Sequence, residues 1–502
     1  MPDIFDLVVI GGGVNGAGIA RDAAGRGLRV LLCEKDDLAA GTSSRSGKLV
    51  HGGLRYLEYY EFRLVREALI EREVLLRNAP HIVRPMRFVL PHSPEQRPAW
   101  VIRAGLFLYD HIGGRESLPG TRRLDLHRDP EGRPIRDEFR VAFEYSDCWV
   151  EDARLVVLNA LDAQARGAEV LTRTAAVSAR REHDRWRVVL RNAAGERVVE
   201  ARALVNAAGP WVERVLTGVT GSNAGRHVRL VKGSHLIVRK FWEGPQAYLL
   251  QNDDKRVIFV NPYEDDLCLI GTTDIPFTGA AEDVRVDDAE RGYLLRAVNR
   301  YMRQTLTPAD IVHEFSGIRP LYDDDAGKNA SAVTRDYVFD IDGGPGQAPL
   351  LSVFGGKITT YRKLAEHAME RLRGFSPDLF AANLGPAWTA QAPLPGGDMP
   401  GGDYGRFLIA LQAAHPWLDA GVARHYARNY GTRAAALLDG ARTMADLGRH
   451  WGGRLYEREA EFLRRTEWAE TAQDILTRRT KHYLHMTDAE QAAFAGSLAR
   501  AA

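Results

Sequence analysis

The sequence is poor in cysteine and carries almost no net charge. Its 502 residues include only three cysteines, Cys33, Cys148 and Cys268, which form neither a CxxC motif nor a zinc-ligand spacing. This usage argues against a disulfide framework and favours a reducing compartment. The 67 basic and 66 acidic side chains leave a formal charge of +1. No global field therefore attracts nucleic acid, and any anion site must be built locally.

Long apolar runs and a leader sequence are also missing. A membrane-spanning helix needs about 18 or more apolar residues in succession, and Arg, Asp or His interrupts each candidate run, including residues 100–112. The N-terminus, MPDIFDLVVIGGG, carries acids where a signal peptide needs a basic flank. We therefore expect an intracellular chain that does not span a membrane, although binding to a membrane surface stays open.

A complete dinucleotide fingerprint opens the chain. Residues 4–10 predict a buried strand, and the segment GGGVNGAGIARDAAGRG predicts a turn that leads into an Ala-rich helix. Gly11, Gly13 and Gly16 give G-x-G-x-x-G at this junction, and Glu34 ends the next predicted strand 18 residues after Gly16. The glycines let a pyrophosphate approach the helix N-terminus, and Glu34 can accept ribose hydrogen bonds. An acid here argues against NADP and leaves FAD and NAD open.

A second segment, GTSSRSGKLVH at residues 41–51, alternates hydroxyls with cations. Thr42, Ser43, Ser44 and Lys48 offer the donors that suit phosphate oxygens. A solvated polar loop has much the same composition. We interpret the segment as a phosphate-binding loop.

Glycines also follow two later strands. Gly209 comes after the predicted strand 203–207, and Gly355 and Gly356 come after 350–354. They would let the backbone approach a second edge of the cofactor, and a helix beginning near Lys357 would direct its positive dipole to the pyrimidine end of a reduced flavin. Two ordinary strand-to-helix turns explain the same pattern.

The remaining chain divides by its hydrophobic pattern. Residues 61–78 have apolar side chains at helical spacing, and the Pro/Gly-rich segment APLPGGDMPGGDYG indicates a linker at 391–405. The chain after the linker is predicted to be all helical. The other predicted strands are 28–33, 169–174, 186–191, 197–200, 235–238, 257–260 and 267–270.

These motifs together resemble the FAD-dependent glycerol-3-phosphate dehydrogenases. The matching segments follow the family order over residues 6–372 and include DLVVIGGGVNGAGIARDAAGRGL, GTSSRSGKLVHGGLRYLE, FEYSDCWVEDARLV, LVNAAGPWV, KGSHLIV, IGTTD, SGIRPL, TRDY and LSVFGGKITTYRKLAEHA. ARHYARNYG and RRTKHYL extend the similarity into the C-terminal part. Mitochondrial members add a calcium-binding segment; no D-x-[DN]-x-[DN]-G loop occurs here, so the bacterial form fits better and no metal site is expected.

The resemblance implies an α/β fold of the D-amino-acid-oxidase and glucose-oxidase type. We expect a Rossmann-like FAD-binding domain from residues 1–80, 150–225 and 315–390 and a β-rich substrate domain from residues 81–149 and 226–314. The linker 391–405 would then join an all-helical C-terminal domain, residues 406–502.

The resemblance also implies oxidation of sn-glycerol 3-phosphate to dihydroxyacetone phosphate, with hydride transfer to noncovalent FAD and electrons passed to ubiquinone or menaquinone. A phosphate needs cations near the flavin, and Arg55, Arg319, Arg335 and Lys357 each lie in a matching segment. We assign Arg319 mainly to the developing alkoxide and the other three to phosphate. Tyr56 presents a phenol to the same ligand.

Two histidines are candidate bases for the alcohol proton. His235, in KGSHLIV, is the first candidate because an imidazole near its normal pKa takes a proton at neutral pH. His51 is the alternative base. A histidine in a strand is more often structural, so the assignment of His235 depends on the resemblance.

The same resemblance implies a set of cofactor contacts. In KLVHGGLRYLE, residues 48–58, two glycines let the backbone come close to the isoalloxazine. The predicted cofactor-binding residues are Gly11, Gly13, Asn15, Gly16, Glu34, Thr42, Ser43, Ser44, Lys48, Leu49, His51, Gly52, Gly53, Gly209, Gly355, Gly356 and Lys357.

Two other functions share these cofactor motifs. One is an oxidase that passes electrons to oxygen, acting on glycerol 3-phosphate or an amino acid, and the other is a non-catalytic FAD-binding protein. For the dehydrogenase, we expect a peripheral position on the inner face of the cell membrane, with lipid contact near residues 100–109 or 478–483. The sequence leaves open whether a homodimer forms.

Overall fold

The computed structural model describes residues 3–93, 95, 97–222, 227–254, 256–323, 336–380 and 384–501. Its strands, in chain order, are β1 Asp3–Ile10, β2 Val30–Cys33, β3 Leu49–Val50, β4 Val83–His92, β5 Arg122–Asp125, β6 Val141–Val150, β7 Glu169–Leu171, β8 Ala175–Glu182, β9 Arg185–Asn192, β10 Gly195–Asn206, β11 His227–Arg239, β12 Ala247–Gln251, β13 Val257–Tyr263, β14 Leu267–Gly271, β15 Ile275–Pro276, β16 Ile311–Asp323, β17 Val338–Asp342, β18 Leu350–Phe354, β19 His450–Gly452 and β20 Leu455–Tyr456.

Helices cover the first sheet and build most of the C-terminal part. They are α1 Val14–Gly25, α2 Phe62–Asn78, α3 Ala99–Ile112, α4 Asp152–Ala165, α5 Val212–Val215, α6 Asp288–Tyr301, α7 Tyr361–Phe375, α8 Pro377–Phe380, α9 Tyr404–Ala414, α10 Ala420–Tyr430, α11 Ala434–Leu438, α12 Glu457–Thr466 and α13 Asp488–Ala501.

The first sheet is the Rossmann-like layer. Its strand order is β17-β18-β10-β1-β2-β7, and the pairs from β18 to β7 are parallel. Parallel strands are covered on both faces, which explains the apolar runs at residues 7–10 of β1 and 30–33 of β2. Helices α1, α4 and α7 pack on one face, and the antiparallel β8 and β9 continue from β10. The carboxyl ends of β1, β2, β10 and β18 therefore meet at one edge.

The second sheet is mixed and contains ten of the described strands. Its order is β15-β11-β14-β13-β12-β4-β6-β3, with β16 paired to β11 and β5 to β6. One face packs against α6 in an apolar core that includes Leu236, Val260 and Ile270. Side chains alternate between the two faces of a strand. The neighbours of these three residues in sequence therefore lie on the opposite face of the sheet, which borders a cavity.

The C-terminal part is predominantly helical, as predicted, with one short ladder between β19 and β20. Buried ion pairs join it to the first sheet. Arg479 pairs with Asp37 at 2.7 Å, and Arg154 pairs with Glu467. Arg478, also buried, contacts Asp37 at 2.6 Å. The prediction that residues 478–483 contact lipid is therefore wrong for Arg478 and Arg479, because both side chains are buried against Asp37.

Several predicted strand limits differ from the structure. Residues 197–200 and 203–207 were predicted as separate strands but belong to the single strand β10. The polar Arg202 does not interrupt it, because its guanidinium reaches Asp6 at 3.4 Å on the neighbouring strand. Segment 169–174, predicted as one strand, contains the shorter β7, which pairs in parallel with β2. Strand pairing of this kind depends on contacts distant in sequence.

Candidate active site

The N-terminus of α1 forms a close backbone cradle. Gly11 has φ of 112°, and a Cβ atom there would lie 2.6 Å from the carbonyl oxygen of Ala207. A Cβ at Gly16 would lie 1.9 Å from the Gly11 carbonyl oxygen, so only glycine lets helix and strand pack this closely. Gly13 is the N-cap, and Ser43 Oγ accepts from the Val14 amide at 3.0 Å. The backbone amides at the N-terminus of α1 and the positive end of its helix dipole thus face the edge of the sheet.

Glu34 lies beside this cradle at the end of β2. Its Oε2 accepts a hydrogen bond from the Gly12 amide at 2.7 Å, and its Oε1 accepts from the Asp36 amide at 2.8 Å. Burial raises the pKa of Glu34 above its ordinary value. The remaining lone pairs can accept ribose hydroxyls, which is the role that the fingerprint predicts.

Two adjoining cavities run from this cradle across the molecule. The first, about 420 Å³, is lined by Gly11, Gly13, Asn15, Glu34 and Gly209 among others. The second is about 730 Å³. Both share one wall formed by Val14, Thr42, Ser43, Arg45, Pro320, Gly355 and Gly356. The pair makes an elongated cleft, which suits a dinucleotide with one end at Glu34.

Asn15 gives a further sign that a polar ligand fits this cleft. Its Nδ2 donates to the Gly355 carbonyl at 3.1 Å, whereas its buried Oδ1 has no hydrogen-bond partner among the described residues. Gly355 and Gly356 have φ of 75° and 102°, values that favour glycine. An orphaned acceptor in the cleft wall fits a ligand that donates a hydrogen bond.

His235 lies in the wall of the larger cavity. It is 4% exposed, and its ring stacks on Phe315 with centroids 4.8 Å apart and planes at 17°. Neither ring nitrogen has a hydrogen-bond partner in the described part of the chain. Burial, aided by Lys48 and Arg319, lowers the pKa of His235 to about 3. The expectation of a normal pKa was therefore wrong, because the Asp152 carboxylate offsets only part of the effect of burial.

Arg319 faces the same cavity from β16. Its guanidinium donates to the carbonyl oxygen of Thr273 at 2.6 Å and lies 3.4 Å from Asp274 Oδ1. Thr272, Thr273 and Asp274, from the segment IGTTD, also line the cavity. The Asp274 carboxylate lies beside this guanidinium and helps to orient it in the cavity wall.

Lys357, Tyr56 and Arg55 form the other side of this cavity. The Lys357 ammonium lies 3.7 Å from the centre of the Tyr56 ring, which is a cation–π contact. Arg55 is half-buried and lines the cavity, as does His51. A Cβ at Gly53 would lie 2.1 Å from the Tyr56 ring, so this glycine lets the phenol lie flat against the backbone.

Other predicted residues lie elsewhere. Ser44, Lys48 and Gly52 line neither cavity: the Lys48 ammonium is buried against Asp152 at 2.9 Å, and the Gly52 amide donates to Tyr109 Oη at 2.8 Å. Leu49 does line the larger cavity. Arg335 lies outside the described residues.

The C-terminal part contains one buried cluster of metal-ligating types, which the sequence did not predict. His425 Nε2 lies 2.6 Å from Glu459 Oε1, and His482 Nε2 lies 3.2 Å from Glu459 Oε2. Tyr430 Oη donates to the same carboxylate at 2.5 Å. Asn429 Nδ2 lies 2.9 Å from His425 Nδ1. Hydrogen bonds between these side chains therefore explain the cluster without a metal ion.

Comparison with known protein families matches both parts of the chain. Residues 6–362 match the family model described as FAD dependent oxidoreductase, and residues 387–499 match the C-terminal domain of alpha-glycerophosphate oxidase. The chain belongs to the FAD dependent oxidoreductase family. The predicted fold class and the predicted FAD cofactor are thereby confirmed.

Among individual relatives, the D-erythritol 1-phosphate dehydrogenase of Brucella abortus (strain 2308) is 62% identical over 98% of this chain and 97% of its own length. The glycerol-3-phosphate dehydrogenase of Pseudomonas aeruginosa is 54% identical over 98% and 94% of the two chains. The aerobic glycerol-3-phosphate dehydrogenase of Escherichia coli K12 is 50% identical over 97% and 95%.

Among solved structures, the chain is similar to the glycerol-3-phosphate dehydrogenase from Bacillus halodurans complexed with FAD. The TM-score is 0.74 at 26% identity, with 99% of this chain and 94% of the other covered. L-alpha-glycerophosphate oxidase from Mycoplasma pneumoniae is 16% identical with a TM-score of 0.61, which shows a shared fold.

Proposed function

We propose that the enzyme oxidises the secondary alcohol next to the phosphate-bearing carbon of a phosphorylated polyol. The observation that carries this proposal is the convergence of His235, Arg319 and Lys357 on one cavity that shares its wall with the FAD cleft. A proton acceptor and two cations in one cavity suit an alcohol that also carries a phosphate. The names of the relatives support two substrates, sn-glycerol 3-phosphate and D-erythritol 1-phosphate.

In this proposal one cavity residue accepts a proton and the cationic residues stabilise negative charge. His235 is neutral at physiological pH because its pKa is lowered to about 3, so a ring nitrogen can accept the hydroxyl proton. The negative charge of the bound phosphate and of the developing alkoxide raises this pKa in the complex and makes the ring a stronger base. Arg319 stabilises the negative charge that develops on the alcohol oxygen. Lys357 and Arg55 bind the phosphate. When bound, FAD supplies the acceptor for the hydride from the same carbon, which becomes a carbonyl carbon.

We further propose that the electrons pass to a lipid quinone at a membrane surface. The larger cavity opens beside α2, α3 and the turn Leu54–Tyr59, and large apolar side chains are exposed around this mouth. They are Tyr59, Tyr60, Phe62, Trp100, Phe107 and Leu108, of which Trp100 is 73% and Phe107 65% exposed. A hydrophobic mouth suits contact with a bilayer that holds the electron acceptor. Across the described residues, no helix combines the length and apolar character needed to traverse a bilayer.

The substrate proposal is tested by anaerobic bleaching of the flavin absorbance. Both phosphorylated polyols are compared with glycerol and D-alanine as controls. We expect bleaching by one or both phosphorylated polyols and by neither control. Bleaching by D-alanine, or by none of the four, contradicts the proposal. Hydrogen peroxide yield and rates with ubiquinone analogues then distinguish an oxidase, which reduces oxygen, from the quinone-linked enzyme.

Membrane contact is tested by co-sedimentation with vesicles of phosphatidylglycerol and phosphatidylcholine. The double variant Trp100→Asp, Phe107→Asp should bind these vesicles at least tenfold more weakly, because each exposed ring contributes buried apolar area. Ile409→Asp is the matched control, since Ile409 is 69% exposed on α9. Equal binding by the double variant and by wild type would rule out this face.

A further inference from the structure

Asn261 is a buried polar side chain in an otherwise apolar part of the cavity wall. It is 1% exposed, lies on β13 and lines the larger cavity. Its Oδ1 has no hydrogen-bond partner, and none of the hydrogen bonds found among the described residues involves its side chain. A buried side-chain amide without a hydrogen-bond partner is unfavourable. This points to a ligand that supplies the missing hydrogen bond.

The strand register places Asn261 on the face that carries His235. Phe259 is opposite Gly271, and Gly271 is opposite His235, while Asn261 is opposite Leu269. Because side chains two apart on a strand share a face, Asn261 and Phe259 both point to the cavity. The side chains next to Asn261 on this face are therefore mainly apolar and offer no hydrogen bond.

The imidazole of His235 lies over Gly271, the strand neighbour that separates it from β13. A Cβ atom at Gly271 would lie 2.2 Å from His235 Cδ2. Gly271 and Asn261 are diagonal neighbours across the pair, roughly 7–8 Å apart. An alcohol that reacts beside His235 is therefore too far from Asn261 to hydrogen bond to it. A hydroxyl further along a longer carbon chain can reach the amide.

We propose that Asn261 determines polyol chain length by hydrogen bonding to the terminal hydroxyl of a four-carbon polyol phosphate. This inference depends on the function proposed above. A three-carbon substrate oxidised beside His235 ends one carbon earlier and leaves the amide unpaired. A site built to bind a hydroxyl discriminates against a substrate that lacks it, because the buried amide then loses its partner.

The test compares kcat/KM for D-erythritol 1-phosphate and for sn-glycerol 3-phosphate in wild type and in Asn261→Leu. Leucine has a similar volume and no hydrogen-bonding group. We expect the ratio of four-carbon to three-carbon kcat/KM to fall at least tenfold, with the three-carbon value changed less than threefold. Asn261→Ser should restore part of the ratio. Asn192→Leu, an exposed asparagine at the end of β9, is the matched control and should leave the ratio unchanged.

Each outcome decides the inference. An unchanged ratio, or an equal loss for both substrates, overturns it and leaves the proposed function in place. Turnover of neither phosphorylated polyol by wild type overturns both. An altered flavin spectrum of Asn261→Leu without substrate assigns Asn261 to the cofactor instead. If Asn261→Leu does not retain FAD, Asn261→Ala decides, because that variant also lacks a hydrogen-bonding side chain and an unchanged ratio in it contradicts the proposal.

Discussion

The ring of His235 lies against the ring of Phe315 on the neighbouring strand β16, with the two planes at 17°. The Lys48 ammonium lies 5.4 Å from the centre of the same Phe315 ring. The stacking on Phe315 and the close approach to Gly271 surround the imidazole with apolar surface, and the positive charges of Lys48 and Arg319 lie near it. Both effects favour the neutral ring.

Replacement of His235 by Ala should slow flavin reduction about a hundredfold, because a general base contributes a factor of this order. Substrate affinity should change much less. Stopped-flow reduction at several substrate concentrations separates the two effects. Since the pKa of His235 is lowered to about 3, its protonation should produce no fall in the wild-type rate between pH 8 and pH 6.

His51→Ala is the matched variant, because His51 lines the same cavity. If His235→Ala keeps the wild-type rate and pH profile while His51→Ala does not, His51 is the base and the assignment of His235 is wrong.

Lys357→Met should lower kcat/KM for the phosphorylated substrate strongly. The buried ammonium would lose a charged hydrogen bond to phosphate worth roughly 1.5–3 kcal/mol, which corresponds to about 10- to 150-fold. Lys363→Met is the control, because Lys363 lies in the first turn of α7 and pairs with Glu366 at 3.1 Å. Steady-state kinetics with a quinone analogue gives both values. An unchanged kcat/KM in Lys357→Met removes this lysine from the substrate site.

FAD should be held noncovalently. The cleft offers hydrogen bonds and a helix N-terminus, so acid precipitation is expected to release the flavin into the supernatant. Glu34→Ala should weaken FAD binding at least tenfold, because ribose hydroxyls lose their acceptor, whereas the exposed Glu196→Ala should not. Fluorescence titration of the apoprotein measures the affinity. Flavin that stays with the precipitate would contradict the noncovalent assignment.

A buried histidine should make the protein acid-sensitive. His81 is 1% exposed, and burial together with Arg154, Arg433 and Arg428 lowers its pKa to about 3. The unfolded chain, with a pKa near 6.5, binds the proton first, so the free energy of unfolding decreases as pH falls from about 6.5 to about 3. One such group contributes up to about 1.4 kcal/mol per pH unit in that window.

The variant His81→Leu should therefore show a shallower loss of stability between pH 7 and pH 5 than wild type. Urea unfolding at each pH measures this slope, and the exposed His450→Leu serves as the control. Parallel curves for His81→Leu and wild type would show that His81 does not titrate in this way.

The FAD half of the site could be predicted because it is local in sequence. Gly11, Gly13 and Gly16 act within one strand-turn-helix unit, and Glu34 ends the next strand. The substrate half needed the resemblance, because nothing in KGSHLIV states which face of β11 meets the cavity. Asn261 was missed for the same reason: in VIFVNPY a polar residue at a strand position is compatible with either face until the register is known.

The sequence by itself determined the Rossmann-like unit with its dinucleotide fingerprint and the helical C-terminal part, since hydrophobic period and turn chemistry depend on near neighbours. The choice of FAD over NAD came from the family resemblance. Only the tertiary structure decided that Arg478 is buried against Asp37, 441 residues away, and that Lys48 is neutralised by Asp152. It also decided the low pKa of His235. Desolvation and pairing depend on which distant segments pack together, and strand register sets that packing.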